Sequence, residues 1–146
     1  MHLSLRKLLI PIVTLAILFG LAACQSQTVE LAPMSELPDF ILDRPAKFQD
    51  AYRFAISHPH DLETVPCYCG CGAMGHMSNL DCYIKEIDTN GTILFDDHAR
   101  NCGICVDITQ DVMILKGQGK LPSAIRAYID EKYSKFGPGT DTPLPT

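Results

Sequence analysis

Residues 65–82 read Val65-Pro-Cys67-Tyr-Cys69-Gly-Cys71-Gly-Ala-Met-Gly-His76-Met-Ser-Asn-Leu-Asp-Cys82. Cysteines fall at every second position, and Gly70, Gly72 and Gly75 argue for a loop held by its side chains rather than by a ladder or a helix. In extended backbone, alternate residues point to the same side, so Cys67, Cys69 and Cys71 converge on one face. A disulfide wants Cα atoms about 4.4–6.8 Å apart and a defined torsion, which a ring over one intervening residue reaches only with strain. The three thiols are therefore placed either to wrap an ion or to pair one by one with Cys82, Cys102 and Cys105. Met74, His76 and Met77 add further donors to the same loop.

Outward from this loop the chain reads as mainly α. Before it, Phe48, Ala51, Tyr52 and Ala55 follow at helical spacing after Pro45, predicting an amphipathic helix over 45–57 that His58-Pro59 ends. After it, Cys82–Ile87 and Thr92–Phe95 flank Asp88-Thr89-Asn90-Gly91, a hairpin signal. Asp96 or Asp97 can cap a helix over 98–116, with Gly117 as its stop. Pro122 opens a last helix through Ile125, Tyr128, Ile129 and Phe136, ended by Gly137-Pro138. The expected fold is one small, mainly α domain over 45–136: about three helices, a Cys/Gly-rich loop and a short β-hairpin. Residues 24–44 read as a flexible tether and 137–146 as a disordered tail, because both are Pro-containing and lack a period. A domain this size often relies on a staple or a metal for stability.

The first residues belong to a different kind of segment. Arg6 and Lys7 precede an apolar run, Leu8–Leu21, that is short for a membrane span and suited to a secretory leader. It ends in Leu21-Ala22-Ala23-Cys24, which resembles the box of a bacterial lipoprotein signal. The resemblance implies removal of 1–23 and lipidation of Cys24, a palmitate-type modification. It places the protein on the extracytoplasmic face of a bacterial membrane. One acyl chain binds only marginally, at about 0.8 kcal/mol per buried methylene, so the two or three chains of a lipoprotein cysteine are what would hold it.

Without Arg6 and Lys7 the remaining chain has ten Lys and Arg against seventeen Asp and Glu, a formal charge of −7. No basic patch is visible, which argues against a nucleic-acid partner. Six cysteines remain after Cys24, an even number in an oxidising compartment, so three disulfides are one reading of the chain.

A second cysteine segment argues for another. If 98–116 is one helix, His98, Cys102 and Cys105 lie at i, i+4 and i+7 and share a face. Cys102-Gly-Ile-Cys105 is a C-x-x-C, half of a metal site or a thiol–disulfide redox pair. Thiolates are soft donors that favour copper(I), zinc or iron–sulfur over calcium or magnesium. The candidate ligands are Cys67, Cys69, Cys71, Cys82, Cys102 and Cys105, with His76 and His98. His58 and His60, at a helix end, read as terminal or surface residues. A redox pair is expected at a helix N-terminus, and on this reading Cys102 and Cys105 lie about a turn inside the helix. No G-x-S-x-G, H-E-x-x-H or P-loop occurs, and nothing singles out Glu63 or Asp81 as a catalytic base, so the chain reads as a binding protein rather than an enzyme.

The run Pro66-Cys67-Tyr68-Cys69-Gly70-Cys71 resembles the signature of bacterial PCYCGC-motif lipoproteins. Gly75-His76, Ser78-Asn79, Asp81-Cys82, Gly91, Asp97-His98-Ala99, Cys102-x-x-Cys105 and Ile125-Arg126 through Tyr133 resemble further landmarks of that family, over roughly 45–135. The family supplies lipoprotein character and the motif, not an activity. The functional expectation therefore rests on the cysteines: a membrane-tethered protein that stores, senses or delivers a soft metal ion, copper(I) first and zinc second. A metal-donor or metal-acceptor protein would be its partner. The alternatives are a disulfide-stapled binding lipoprotein and a thiol-redox or iron–sulfur protein.

Overall fold

The computed structural model describes residues 27–146. The leader and the lipidation site Cys24 lie outside the described residues. The first helix, α1 (Ala46–Ser57), buries Phe48, Ala51, Tyr52, Phe54 and Ala55. Its end falls at His58, and Pro59 opens the five-residue α2 (Pro59–Glu63), a short helix that the sequence reading did not anticipate. Proline tolerates the first helical position, where no amide donor is needed, so one residue both stops α1 and starts α2.

The loop follows, built from two 3-10 turns, Cys71–Met74 and Leu80–Cys82. Gly70 (φ 84°) and Gly75 (φ 92°) bracket the first of them in the left-handed region, where a side chain would strain the backbone. The hairpin has the expected place: β1 (Ile84–Ile87) pairs antiparallel with β2 (Ile93–Phe95), with a register irregularity between Ile84 and Glu86. In its turn the Asp88 carboxylate accepts the amides of Asn90 and Thr92, both at 2.8 Å. Those donors, the Thr92 amide first, hold the carboxyl below its ordinary range.

The last helices are α3 (Gly103–Gly117) and α4 (Pro122–Tyr133). The expectation of one helix over 98–116 needs correction. His98–Arg100 is a separate 3-10 turn, and α3 begins only at Gly103 with Cys102 as its cap. Asp97 holds the N-cap position of that turn and caps no longer helix, while the Asp96 carboxylate, one residue earlier, accepts the His98 amide at 2.7 Å and closes the turn.

Helix α3 is the hub, packed against α1 and α4. Ile41, Tyr52, Phe54, Leu62, Tyr83, Ile108 and Ile129 are fully enclosed around it. The Tyr52 and Tyr83 rings meet edge to face at 4.9 Å. Burial places both hydroxyls where they must find partners: Tyr52 donates to the Asp96 carbonyl at 2.8 Å and Tyr83 bonds Thr109 Oγ1 at 2.8 Å.

Both flanks depart from expectation. The described part of the proposed tether, 27–44, lies on the domain: Ala32, Leu37 and Ile41 are buried, the Gln27 amide bonds Gly117 and the Ala32 amide bonds Arg53. The tail is also docked. Thr140 and Thr142 are buried, and the Thr140 amide donates to the Cys67 carbonyl at 3.0 Å. No helix of the described residues is long and apolar enough to cross a membrane.

Candidate metal centre

Four pieces of chain bring the cysteines together. The loop supplies Cys67, Cys69 and Cys71; the turn Leu80–Cys82 supplies Cys82; the turn His98–Arg100 supplies His98; and the start of α3 supplies Cys102 and Cys105. His98, Cys102 and Cys105 converge although they do not share a helix. The 3-10 turn and the cap fold back over the α3 N-terminus and put all three at that end. The C-x-x-C thus sits at a helix N-terminus, where the dipole favours thiolate, and not a turn inside the helix.

Cys105 is the central sulfur. Its Sγ lies 3.3 Å from Cys67, 3.5 Å from Cys69 and 3.5 Å from Cys82. Cys67 and Cys69 are 3.4 Å apart and Cys71 and Cys82 are 3.7 Å apart. The imidazoles close the two ends: His98 Nε2 is 3.3 Å from Cys69 Sγ, and His76 Nδ1 is 3.5 Å from Cys82 Sγ. The two rings stand edge to face at 5.3 Å. All six cysteines, and both histidines named from the sequence, therefore form one contiguous cluster.

These separations discriminate between chemistries. A disulfide holds its sulfurs at about 2.05 Å; all six cysteines here are free thiols. Sulfurs sharing a tetrahedral zinc at about 2.3 Å each stand about 3.8 Å from one another, close to the spacing found. The donor set and its spacing fit a thiophilic ion.

The thiols also divide their charge unevenly. Hydrogen bonds from Cys102 above all, then Cys105 and Cys67, hold the Cys69 thiol far below its ordinary range. Cys82 and Cys105 are pushed up, chiefly by their hydrogen bonds to Cys105 and Cys102 respectively. Cys67 is pulled down as well, to about 4, chiefly by its hydrogen bond to Cys105, while Cys71, like Cys82 and Cys105, is pushed up, chiefly by its hydrogen bonds to Cys67 and Cys69. A bound cation removes the conflict, because it lets the remaining thiols lose their protons.

Residues around the cluster fix it in place. Asn79, fully buried, receives the Thr109 hydroxyl at 2.7 Å, and its amide group donates to the Cys105 carbonyl at 3.3 Å. Its own N–H bonds Val65, so the loop is pinned to α3 beside Cys105. The backbone N–H of Cys67 donates to Thr140 Oγ1 at 3.0 Å, and the Thr142 hydroxyl donates to the Met77 carbonyl at 2.5 Å. Asp96 Oδ2 lies 3.9 Å from His76 Nε2 and 3.6 Å from Lys85 Nζ. The sequence reading missed these supports; the Asp96 cap position was the one local signal, and Thr140 had none.

Other candidates lie apart. His58 contacts the Glu30 carbonyl and Asp61, and the exposed His60 pairs with Glu63, which raises its pKa. Met74 and Met77 are exposed. Met74 borders a cavity of about 360 Å³ lined also by His76, Asp81, Lys85 and Asp96, an approach to the His76 end of the cluster.

No curated protein and no solved structure matches the chain. A family model described as a protein of unknown function with PCYCGC motif matches residues 14–145, nearly the whole sequence including every clustered cysteine and histidine, and the chain therefore belongs to the PCYCGC-motif family.

Proposed function

We propose that this protein binds a soft metal ion through its clustered thiolates, as a lipid-anchored carrier, store or sensor on the extracytoplasmic face of a bacterial membrane. One observation carries the metal reading: five free thiols and two imidazoles converge with neighbouring donor atoms 3.3–3.7 Å apart, and the Cys102 thiol lies within 4.8 Å of Cys69, His98 and Cys105. Soft donors select copper(I) or zinc over hard cations. The lipobox ending at Cys24 supports the anchor, and the acidic mature chain agrees with a cationic cargo. An ion held this way would pass to or from a partner protein presenting its own thiolates or imidazoles.

Metal analysis of protein purified anaerobically with reductant tests the reading. Bound copper or zinc is the expected result; no metal, with all six cysteines in disulfides after native export, would overturn it. The anchor is tested separately, since Cys24→Ala should move the protein out of the membrane fraction.

A thiol–disulfide exchanger is the second reading, and one observation favours it: Cys102 caps α3 and Cys105 lies in its first turn. Cys105 is nevertheless fully buried among other sulfurs, so Cys102 alone of the pair has an exposed edge from which to attack. A measurable disulfide-reductase or isomerase rate, lost in Cys102→Ser, would support it.

A further inference from the structure

We infer that the cluster is two sites rather than one, each holding a four-coordinate thiophilic dication of the zinc class through three cysteines and one histidine. The inference rests on the metal-binding reading and specifies its stoichiometry and cargo.

The donors divide without remainder. Cys69, His98, Cys102 and Cys105 present ligand atoms all within 4.8 Å of one another. Cys71, His76 and Cys82 form a second such group, and Cys67 lies within the same distance of both Cys71 and Cys82. Divided this way, each set offers three sulfurs and one nitrogen; two further groupings, Cys67 with Cys69 and Cys71 and Cys67 with Cys82 and Cys105, run across the division. A single ion at about 2.3 Å from sulfur takes four donors, so one ion would leave half of a mostly buried donor set unused.

Three contacts cross the seam between the sets: Cys67 against Cys105 at 3.3 Å, Cys67 against Cys69 at 3.4 Å and Cys105 against Cys82 at 3.5 Å. The histidines cap opposite ends, using different nitrogens: His98 presents Nε2 to Cys69 and His76 presents Nδ1 to Cys82. One carboxylate serves both ends. Asp96 accepts the His98 backbone amide at 2.7 Å through Oδ1 and faces His76 Nε2 at 3.9 Å through Oδ2. The first contact fixes the backbone that carries His98, and the second sets a negative charge beside the far nitrogen of the His76 ring, the outer-shell position from which a carboxylate tunes a ligating imidazole.

Charge selects the cation. Six thiolates with two dications leave the cluster at −2, whereas two copper(I) ions leave −4 among six free cysteines that are mostly buried. Uncompensated charge is costly in such a place. Three cysteines with one histidine is also a donor set that closes a tetrahedral zinc shell.

The test is an anaerobic titration of the reduced full chain in detergent with zinc(II), and with cobalt(II) as the spectroscopic probe. Two ions per chain are expected, with the absorption bands of tetrahedral cobalt bound by three sulfurs and one nitrogen. The double variants His98→Ala/Cys102→Ser and Cys71→Ser/His76→Ala should each bind one ion. One zinc per wild-type chain would overturn the two-site division and leave metal binding intact; no metal of any kind would overturn both. Copper(I) loading of four or more ions without zinc binding would overturn the choice of cation and the division together. A double variant that keeps its helical circular dichroism but binds no ion would also overturn the division. The wild-type count does not depend on any variant folding.

Discussion

Helix α1 and the loop Cys67–Cys82 both rest on α3, and they are built in opposite ways. The α1 side buries Phe48, Ala51, Tyr52, Phe54 and Ala55 and packs against α3, which buries Val106, Ile108 and Val112, a contact made by burying carbon. The loop presents sulfur to Cys105, has no helix longer than a 3-10 turn, and is held by bonds from its own Asn79 to α3 and by bonds to Thr140 and Thr142. Apolar packing is complete once water is excluded. Thiols at 3.3–3.7 Å are not: their remaining free energy comes only when protons leave and a cation enters. One hub helix thus serves an apolar core along its length and a donor cluster at its N-terminus.

The two halves are separated most forcefully at Cys105, which touches Cys67, Cys69 and Cys82. Structural zinc contributes about 10–16 kcal/mol in small sites at neutral pH. Cys105→Ser should therefore lose the ion held with Cys69, His98 and Cys102, leave at most one ion per chain, and loosen amide-exchange protection in 67–82. Protection of α1 and α4 should persist; its simultaneous loss would show that the two regions form one cooperative unit. The mirror experiment is Ile108→Ala in the apolar half, with an expected loss of about 2–5 kcal/mol in denaturant unfolding. Its metal content should match the wild type, and a drop in ions per chain would merge the halves again.

Smaller changes probe the boundary. Asp96→Asn keeps the shape but weakens the carboxylate that serves both histidines, so competition with a chelator should read a loss of about 10–100-fold in metal affinity. Thr140→Val leaves the buried Cys67 amide without its acceptor, at about 1–3 kcal/mol, and exchange in the loop should quicken while α1 is unmoved.

The smallest effect at ordinary pH belongs to the apolar half. Desolvation raises the Tyr52 and Tyr83 pKa values above the ordinary value of 10.0. With the folded pKa above the unfolded one, their contribution is fully present below about pH 10 and is lost as pH rises beyond it, at about 1.4 kcal/mol per tyrosine per pH unit. Melting of the zinc-loaded protein should hold steady from pH 8 to 10 and fall above that, together with tyrosinate absorbance. A fall already at pH 8 would place its origin elsewhere.

Legibility in the sequence followed the range of the forces. Helix α1 was readable because Phe48, Ala51, Tyr52 and Ala55 repeat at helical spacing, and the hairpin because Asn90-Gly91 dictates a tight turn locally. The convergence of the cysteines was readable from residue chemistry alone. The start of α3 was misplaced by five residues because the apolar period runs smoothly back through Cys102, while the backbone there is drawn into a turn around Asp96. The docked flanks were unreadable for a simpler reason. Leu37 follows one 3-10 turn and Ile41 ends another, without a helical period, and the bond between Cys67 and Thr140 spans 73 residues, so neither leaves a local pattern.

That last bond sets an order of events in biosynthesis. Thr140 leaves the ribosome 73 residues after Cys67, which at about 5–20 residues per second is roughly 4–15 seconds later. Throughout that interval the loop has no strap, and its thiols stand open to oxidants, to mispairing and to whatever ions are nearby. Closure of the cluster is therefore a late step, after the chain has been made through residue 142.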